Sequence, residues 1–210
     1  LENTHNRGGG AVMRPELFAR VVEWAHGHKL HVHLDGARVF NAAVACGCDV
    51  KRFTASCDSV QFCLSKGLSA PAGSIVAGSR EFIARATAAR KRVGGAMRQA
   101  GHLAAAGIVA LEKMVDRLAE DHANARRLAE LVSKIPGLSV DLAAVETNMV
   151  YVDFAALRMP IDRFMKELQT RGLAVTAIPP TRIRMVTHRH IMATDVATAA
   201  AILAEVARKP

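Results

Sequence analysis

The sequence predicts an α/β fold, a mostly parallel sheet with helices on it, followed by a small α+β C-terminal domain. Three observations predict it. Strand-like and helix-like patterns alternate over the first half of the chain, as layered α/β folds require. Two apolar runs in that half break off into polar phrases. His31-Val32-His33-Leu34 runs into Asp35-Gly36-Ala37-Arg38, and Val60-Gln61-Phe62-Cys63-Leu64 into Ser65-Lys66-Gly67. The end of a buried parallel strand reads this way as it opens into a loop. Beyond about residue 118 the texture shifts to charged amphipathic helices and short strands. The chain is therefore read as residues 1–117 and 118–210.

In order along the chain, Leu17, Phe18, Val21, Val22 and Ala25 recur at helical spacing behind Pro15, which suits a first turn, so residues 14–29 read as a helix. Residues 30–34 follow as a short strand ending at Asp35, and 37–46 as a small-residue helix closed by Gly47. Residues 59–64 form a second strand, and 73–77 a third, antiparallel across a short loop. Residues 80–92 read as a helix. Residues 97–115 are Ala-rich and apolar on most faces, as a buried helix would be. A charged helix over 119–134 stops at Pro136-Gly137. Short strands are expected at 138–142 and 148–153, then a helix over 161–171 ending at Gly172. Residues 173–178 and 183–187 pair as a hairpin across Pro179-Pro180, and a last helix capped by Thr194 runs to about Arg208.

Composition narrows the function. The 210 residues suffice for one large domain or one medium and one small, and 50% hydrophobic content supplies a sizeable core. With aromatics at only 4%, that core must be mostly aliphatic. The net charge of +9 raises the question of a polyanionic partner. The charges are dispersed and no nucleic-acid motif is present, so nucleic acid is not expected. No apolar run approaches the ~20 residues of a membrane span, and no signal peptide is visible. Cys46-x-Cys48 lacks the spacing of zinc knuckles, and Cys57 and Cys63 lie in apolar stretches. Buried free thiols in a reducing, cytoplasmic compartment are expected, with no metal. The opening residues Leu1-Glu2-Asn3-Thr4-His5-Asn6 read as the end of a strand already under way, and the chain as the downstream piece of a longer one.

The candidate chemistry centres on Asp35 and Lys66, an acid and a lysine each at the tip of a predicted strand, where open α/β sheets bind ligands. A lysine that condenses with an aldehyde, and an acid that keeps a pyridine nitrogen protonated, are what a pyridoxal phosphate (PLP) site requires. A lysine in a partly dry pocket beside positive charge is a usable nucleophile and base. Each residue has a plainer reading. A lysine taken alone is most often a surface residue, and Asp35 equally suits the N-cap of the following helix. Arg38 is placed to reach a ring oxygen and Ser65 a phosphate. Arg90, Lys91, Arg92 and Arg98 surround Gly94-Gly95, a loop that suits a phosphate or forms a solvated basic turn. Arg184 lies inside an apolar strand and needs a carboxylate, from a substrate or from an internal acid.

Together the phrases resemble the low-specificity threonine aldolases, PLP enzymes of the aspartate aminotransferase fold type. The matching pieces are Glu2-Asn3-Thr4-His5-Asn6, His33-Leu34-Asp35-Gly36-Ala37-Arg38 with Asn41-Ala42, and Ser65-Lys66-Gly67-Leu68 with Ala70-Pro71 and Gly73-Ser74. They continue with Gly94-Gly95, Met97-Arg98-Gln99, Gly101, Asp121-His122, Thr147-Asn148, and Arg184 followed by Val186-Thr187-His188. Ser69 and Ala96 stand where the family usually has glycine.

The resemblance implies a PLP-dependent transferase-like large domain, present in part, and a small C-terminal domain. It implies an aldehyde-lyase that cleaves threonine or allo-threonine to glycine and acetaldehyde. Lys66 would carry PLP and act as the catalytic lysine. Asp35 would pair with the ring nitrogen, Arg38 with the ring oxygen and Ser65 with the phosphate. Arg184 would grip the substrate carboxylate. Lys91 and Arg98 match positions near the active site and subunit interface, Lys91 toward substrate and Arg98 toward cofactor. The family works on β-hydroxy-α-amino acids as homodimers or homotetramers. It has about a further third of chain before the first matching phrase, with the ring-stacking and catalytic histidines, so this chain alone is expected to be inactive. Alternatives are another PLP lyase or transaminase of the fold type, or an inactive remnant that serves as a structural partner.

Overall fold

A computed structural model describes residues 1–208, which form two compact units. The first comprises Leu1–His5 and Val12–Leu118, the second Asn6–Ala11 and Ala119 onward.

The first unit is built on a three-stranded sheet in the order β1-β2-β3, with β1 at His33–Asp35, β2 at Ser59–Cys63 and β3 at Ser74–Gly78. β1 and β2 are parallel, with Leu34 opposite Val60 and Asp35 opposite Gln61. β3 runs antiparallel to β2, as its short connection demands. Helix α1 (Pro15–Gly27) and helix α2 (Val39–Cys46) cover the parallel pair, and Phe18, Val22, Leu34, Val39, Ala42 and Phe53 are buried together. Gly47 closes α2 in the left-handed conformation (φ 60°) expected of it. The one-turn helix α3 (Lys51–Thr54), which places Phe53 edge-on to Phe18, was not apparent from the sequence. β1 is shorter than the apolar run because Asp58 intervenes. Its carboxylate accepts the Val32 N–H at 2.7 Å, a side chain taking the place of a ladder bond.

Helix α4 (Arg80–Arg92) is capped by Ser79, whose hydroxyl accepts the Phe82 N–H at 3.1 Å. Helix α5 (Gly101–Lys113) corrects the expectation of a long buried helix over 97–115. It is shorter, and only Gly107 and Ala110 are buried. A Cβ on Gly107 would lie 3.0 Å from Leu64 Cδ1, so the small residues, not the large apolar ones, bring the helix to the core. Ile108 and Val109 each remain 56% exposed, and every residue of β3 is exposed.

The second unit contains an antiparallel sheet in the order β4-β6-β5, formed by β4 (Met149–Asp153), β5 (Thr176–Ile178) and β6 (Arg182–Val186). Helices α6 (Leu118–Val132), α7 (Ile161–Thr170) and α8 (Ala193–Ala207) supply the apolar faces that bury Val150, Val152, Ile183, Leu168 and Leu203. Phe154 and Phe164 stack 4.1 Å apart at its centre. The expected β5–β6 hairpin is present, but no strand forms over 138–142. Ser139 makes a single paired bridge to Asp153, after which Asp141 accepts the Ala143 N–H at 3.0 Å and turns the chain into a short 3₁₀ segment. The cap of α8 is also corrected. Met192 is the N-cap, its N–H held by Asp195 Oδ2 at 2.8 Å, and Thr194 lies inside the first turn. No helix among the described residues is long and apolar enough to cross a membrane.

Candidate active site

The parallel register sets the site. Because β1 and β2 run the same way, Asp35 and the loop carrying Lys66 leave the sheet at its carboxyl edge. Asp35 is half-buried there and locally well held. Its N–H donates to the Leu1 carbonyl at 2.7 Å, across a bridge that pairs Glu2 with Asp35 on the other side of β1. Its Oδ1 accepts the Ala37 N–H at 3.0 Å and an N–H of Gln61 Nε2. Both described hydrogen bonds fall on Oδ1, and none is described for Oδ2. Gly36 completes the turn, its N–H donating to the Gln61 carbonyl at 2.8 Å. A Cβ at Gly36 would meet that carbonyl at 2.8 Å, so only glycine fits.

Lys66 lies three residues beyond β2, in a loop closed on itself. The Ser69 N–H donates to the Lys66 carbonyl at 2.8 Å, Ala70 N–H to Leu64 O at 3.0 Å, and Leu64 N–H to Gly73 O at 3.0 Å. Leu64, Leu68 and Ala70 are buried in a cluster with Ala110 and Leu118, while Ser65 and Lys66 are exposed. The apolar anchors thus fix the backbone and leave the amine free. No hydrogen bond or ion pair holds Lys66 Nζ among the described residues. Gly67 is required by contact, since a Cβ there would stand 2.7 Å from Leu118 Cδ2. Ser69 adopts φ 62°, which explains why glycine would serve at this position.

Arg38 is the N-cap residue of α2, three residues past Asp35. Lys91 lies in the last turn of α4, and Arg98 in the irregular segment after Gly94 (φ +78°). Both are exposed, and no described contact ties either to Asp35 or Lys66.

In the second unit, Arg184 sits on β6 opposite Tyr151. Its Nη1 donates to Asn6 Oδ1 at 2.8 Å, and the Tyr151 hydroxyl donates to Asn6 O at 2.8 Å. The Arg184 Nε–H is buried without a hydrogen-bond partner. The guanidinium's described partner is thus the Asn6 amide oxygen, and the Nε–H remains a donor that a carboxylate can take.

Other matching phrases have structural duties. Asn3, 1% exposed, clamps the chain through Oδ1 from Met13 N–H at 3.0 Å and through Nδ2 to Met13 O at 3.2 Å. Thr147 Oγ1 donates to Gly10 O at 2.8 Å, Asn148 Nδ2 to Thr187 O at 2.9 Å, and Thr187 Oγ1 to Asp121 O at 2.7 Å. These buried bonds join α6, β4, β6 and the 6–11 segment. Burial also pushes His122 below its ordinary range, against the pull of neighbouring Asp121. Gln61 is the site residue that sequence reasoning missed. The signal was a lone amide in an otherwise apolar strand, whose partner only the register reveals.

The fold has several solved members. Threonine aldolase from Leishmania major superposes with a TM-score of 0.78 at 14% identity, covering 99% of this chain and 60% of that one. A PLP-dependent aminotransferase from Streptococcus suis does so with a TM-score of 0.75 at 18% identity, covering 99% and 56%. At such identities the likeness is one of fold. In sequence, residues 1–155 match the family described as beta-eliminating lyase. The low-specificity L-threonine aldolase 1 of Arabidopsis thaliana is 43% identical over 197 residues, 93% of this chain and 55% of its own length. The chain belongs to the beta-eliminating lyase family, and spans about half the length of the curated relatives it matches.

Proposed function

We propose that the chain is the PLP-holding and C-terminal portion of a PLP-dependent aldehyde-lyase that splits threonine and allo-threonine into glycine and acetaldehyde. One observation carries the reading: a fixed carboxylate with one free oxygen and an unengaged lysine leave the same edge of a parallel strand pair. The donor set suits a pyridine aldehyde. Asp35 Oδ2 would accept the ring N–H, while Gln61 and the Ala37 N–H hold Oδ1 and so set the plane of the carboxylate. Lys66 offers the amine for the aldehyde carbon, on a loop whose backbone is fixed by Leu64, Leu68 and Ala70. Arg38 at the start of α2, Ser65 beside Lys66, and Arg98 would supply two cations and a hydroxyl for the ring oxygen and phosphate. Arg184 takes the substrate carboxylate through its orphaned N–H, and Lys91 serves on the substrate side.

When bound, PLP supplies an electron sink for the pair released as the Cα–Cβ bond breaks. The task of Asp35 is to keep a proton on the ring nitrogen, since a neutral ring accepts that pair poorly. Asp35 cannot turn away without breaking two hydrogen bonds, each worth about 1 kcal/mol. The amine of Lys66 would be a base available at the reacting carbon. The homologues' greater length supports assigning cofactor capture to this chain and full turnover to an assembly that also supplies the relatives' remaining portion. A homodimer or homotetramer in the cytoplasm is part of the same proposal.

A second reading has an observation of its own. A PLP-dependent aminotransferase has the same fold, which supports transamination as the alternative. Substrate profiling separates the two. With PLP added, threonine and allo-threonine are expected to perturb the visible band of the loaded chain and, in the complete assembly, to release acetaldehyde. Amino-group transfer to a keto acid without aldehyde release would establish the transaminase instead.

A further inference from the structure

Cys46 and Cys48 flank Gly47, whose left-handed conformation (φ 60°, ψ 36°) ends α2 and folds the chain back so that the Cys48 N–H donates to Ala43 O at 3.0 Å. Both thiols are free and half-buried, and both line one surface cavity of about 430 Å³. Its rim is charged. Arg14 Nη1 donates to Cys46 Sγ at 3.5 Å, Arg52 pairs with Glu16 at 3.0 Å, and Asp49 completes the wall. Burial first, and then the neighbouring Cys46, push the Cys48 thiol up. The other two cysteines are engaged elsewhere. Cys57 Sγ donates to Phe53 O at 3.3 Å, and Cys63 Sγ accepts from the Ser74 hydroxyl at 3.5 Å. Residues two apart around such a turn have Cα atoms roughly 5.5–6 Å apart, inside the span of a disulfide.

We propose that Cys46 and Cys48 form a reversible dithiol–disulfide site on the first unit, oxidised by low-molecular-weight disulfides. The sulfur of Cys46, its proton lost to solvent, attacks one sulfur of the small disulfide. That S–S bond breaks, one small thiolate leaves with the bonding pair, and Cys46 is left as a mixed disulfide. Arg14 pairs with the negative sulfur during attack and departure. Cys48 then loses its proton to solvent and attacks the Cys46 sulfur, closing the intramolecular bond and expelling the second small thiolate. Two electrons pass from the protein dithiol to the small disulfide, which becomes two thiols. The ring closed is small, and strained disulfides are the labile, readily reduced ones. The site therefore stands reduced in thiol-rich surroundings and closes as the small-disulfide fraction rises. No residue assigned to cofactor or substrate takes part.

The test treats the reduced 210-residue chain with oxidised glutathione at graded ratios to reduced glutathione, then quenches, alkylates and maps peptides by mass. The expected product is a Cys46–Cys48 disulfide within one chain, reversed by dithiothreitol, with Cys57 and Cys63 still alkylated. Cys48→Ser should stop at a mixed disulfide on Cys46, and Arg14→Ala should slow its formation about three-fold or more. An independent readout needs no variant: phenylarsine oxide, which bridges thiol pairs, should bind once per chain and protect Cys46 and Cys48 together. Equal alkylation of all four cysteines after oxidant, a disulfide between chains, or arsenical binding that leaves either thiol unprotected would overturn the proposal.

Discussion

Asp35 owes its geometry to Gln61. In the parallel register the two are partners, and the amide holds Oδ1, the oxygen that the proposed cofactor site leaves unused. Replacing Gln61 with Leu keeps the strand but frees the carboxylate to rotate. PLP affinity is expected to fall about three- to ten-fold, the worth of one hydrogen bond of about 1 kcal/mol, while the thermal midpoint changes little. Spectroscopic titration of both proteins measures it. Gly10 is a residue where shape decides. It sits at φ +75°, and a Cβ would stand 2.5 Å from Thr147 Oγ1 and 2.8 Å from Met149 Cε. Gly10→Ala should cost about 2–4 kcal/mol, from backbone strain plus overpacking, seen as a lower denaturation midpoint. Asp35, Lys66 and Arg184 could be picked out in the sequence because a charge in or just after an apolar run is conspicuous. Gln61 could not, because an uncharged amide in a strand announces no partner, and the pairing depends on the register of a second strand.

At the level of elements, most helices and strands were legible because glycine, proline and periodicity marked them. Gly47 ends α2, and Pro15 begins α1. Errors came where side chains compete with the backbone. Asp141 bends the chain out of a predicted strand, and Asp58 takes the Val32 N–H at the entry to β1. Asp58 is held far below the ordinary carboxylate value of 3.8, first by that backbone N–H, then by hydrogen bonds from His26 and His31. A carboxyl depressed in the fold adds stability above its unfolded value, and the contribution is lost as pH falls through the folded one. Asp58→Asn should therefore have a lower melting temperature than wild type at neutral pH. The gap should narrow progressively as the medium is acidified below the unfolded value of 3.8. Paired melting curves across that range check it, and a gap independent of pH would contradict the assigned cause.

For the molecule as a whole, the burial of α5 was misjudged for a reason of scale. Its sequence is apolar enough for a core helix, yet among the described residues only its glycine and one alanine find a core. Val76 of β3 (45% exposed), Met97 (56%), Ile108 and Val109 leave the first unit with apolar surface in water. Sequence patterning reports that a face is apolar and is silent on what covers it. The purified chain is expected to self-associate with rising concentration, and Ile108→Lys with Val76→Thr should reduce that association without lowering the melting temperature. Light scattering across a concentration series measures it.

The central claim is that the carboxyl edge of the β1–β2 pair is a PLP site with Lys66 as its lysine. A titration of the purified chain with PLP, followed in the visible band of lysine-bound cofactor and repeated with Lys66→Ala, tests it most directly. The account predicts a saturable band in the parent chain that Lys66→Ala abolishes. A parent chain that gives no band, or a band of equal size and affinity in the Lys66→Ala chain, would contradict it.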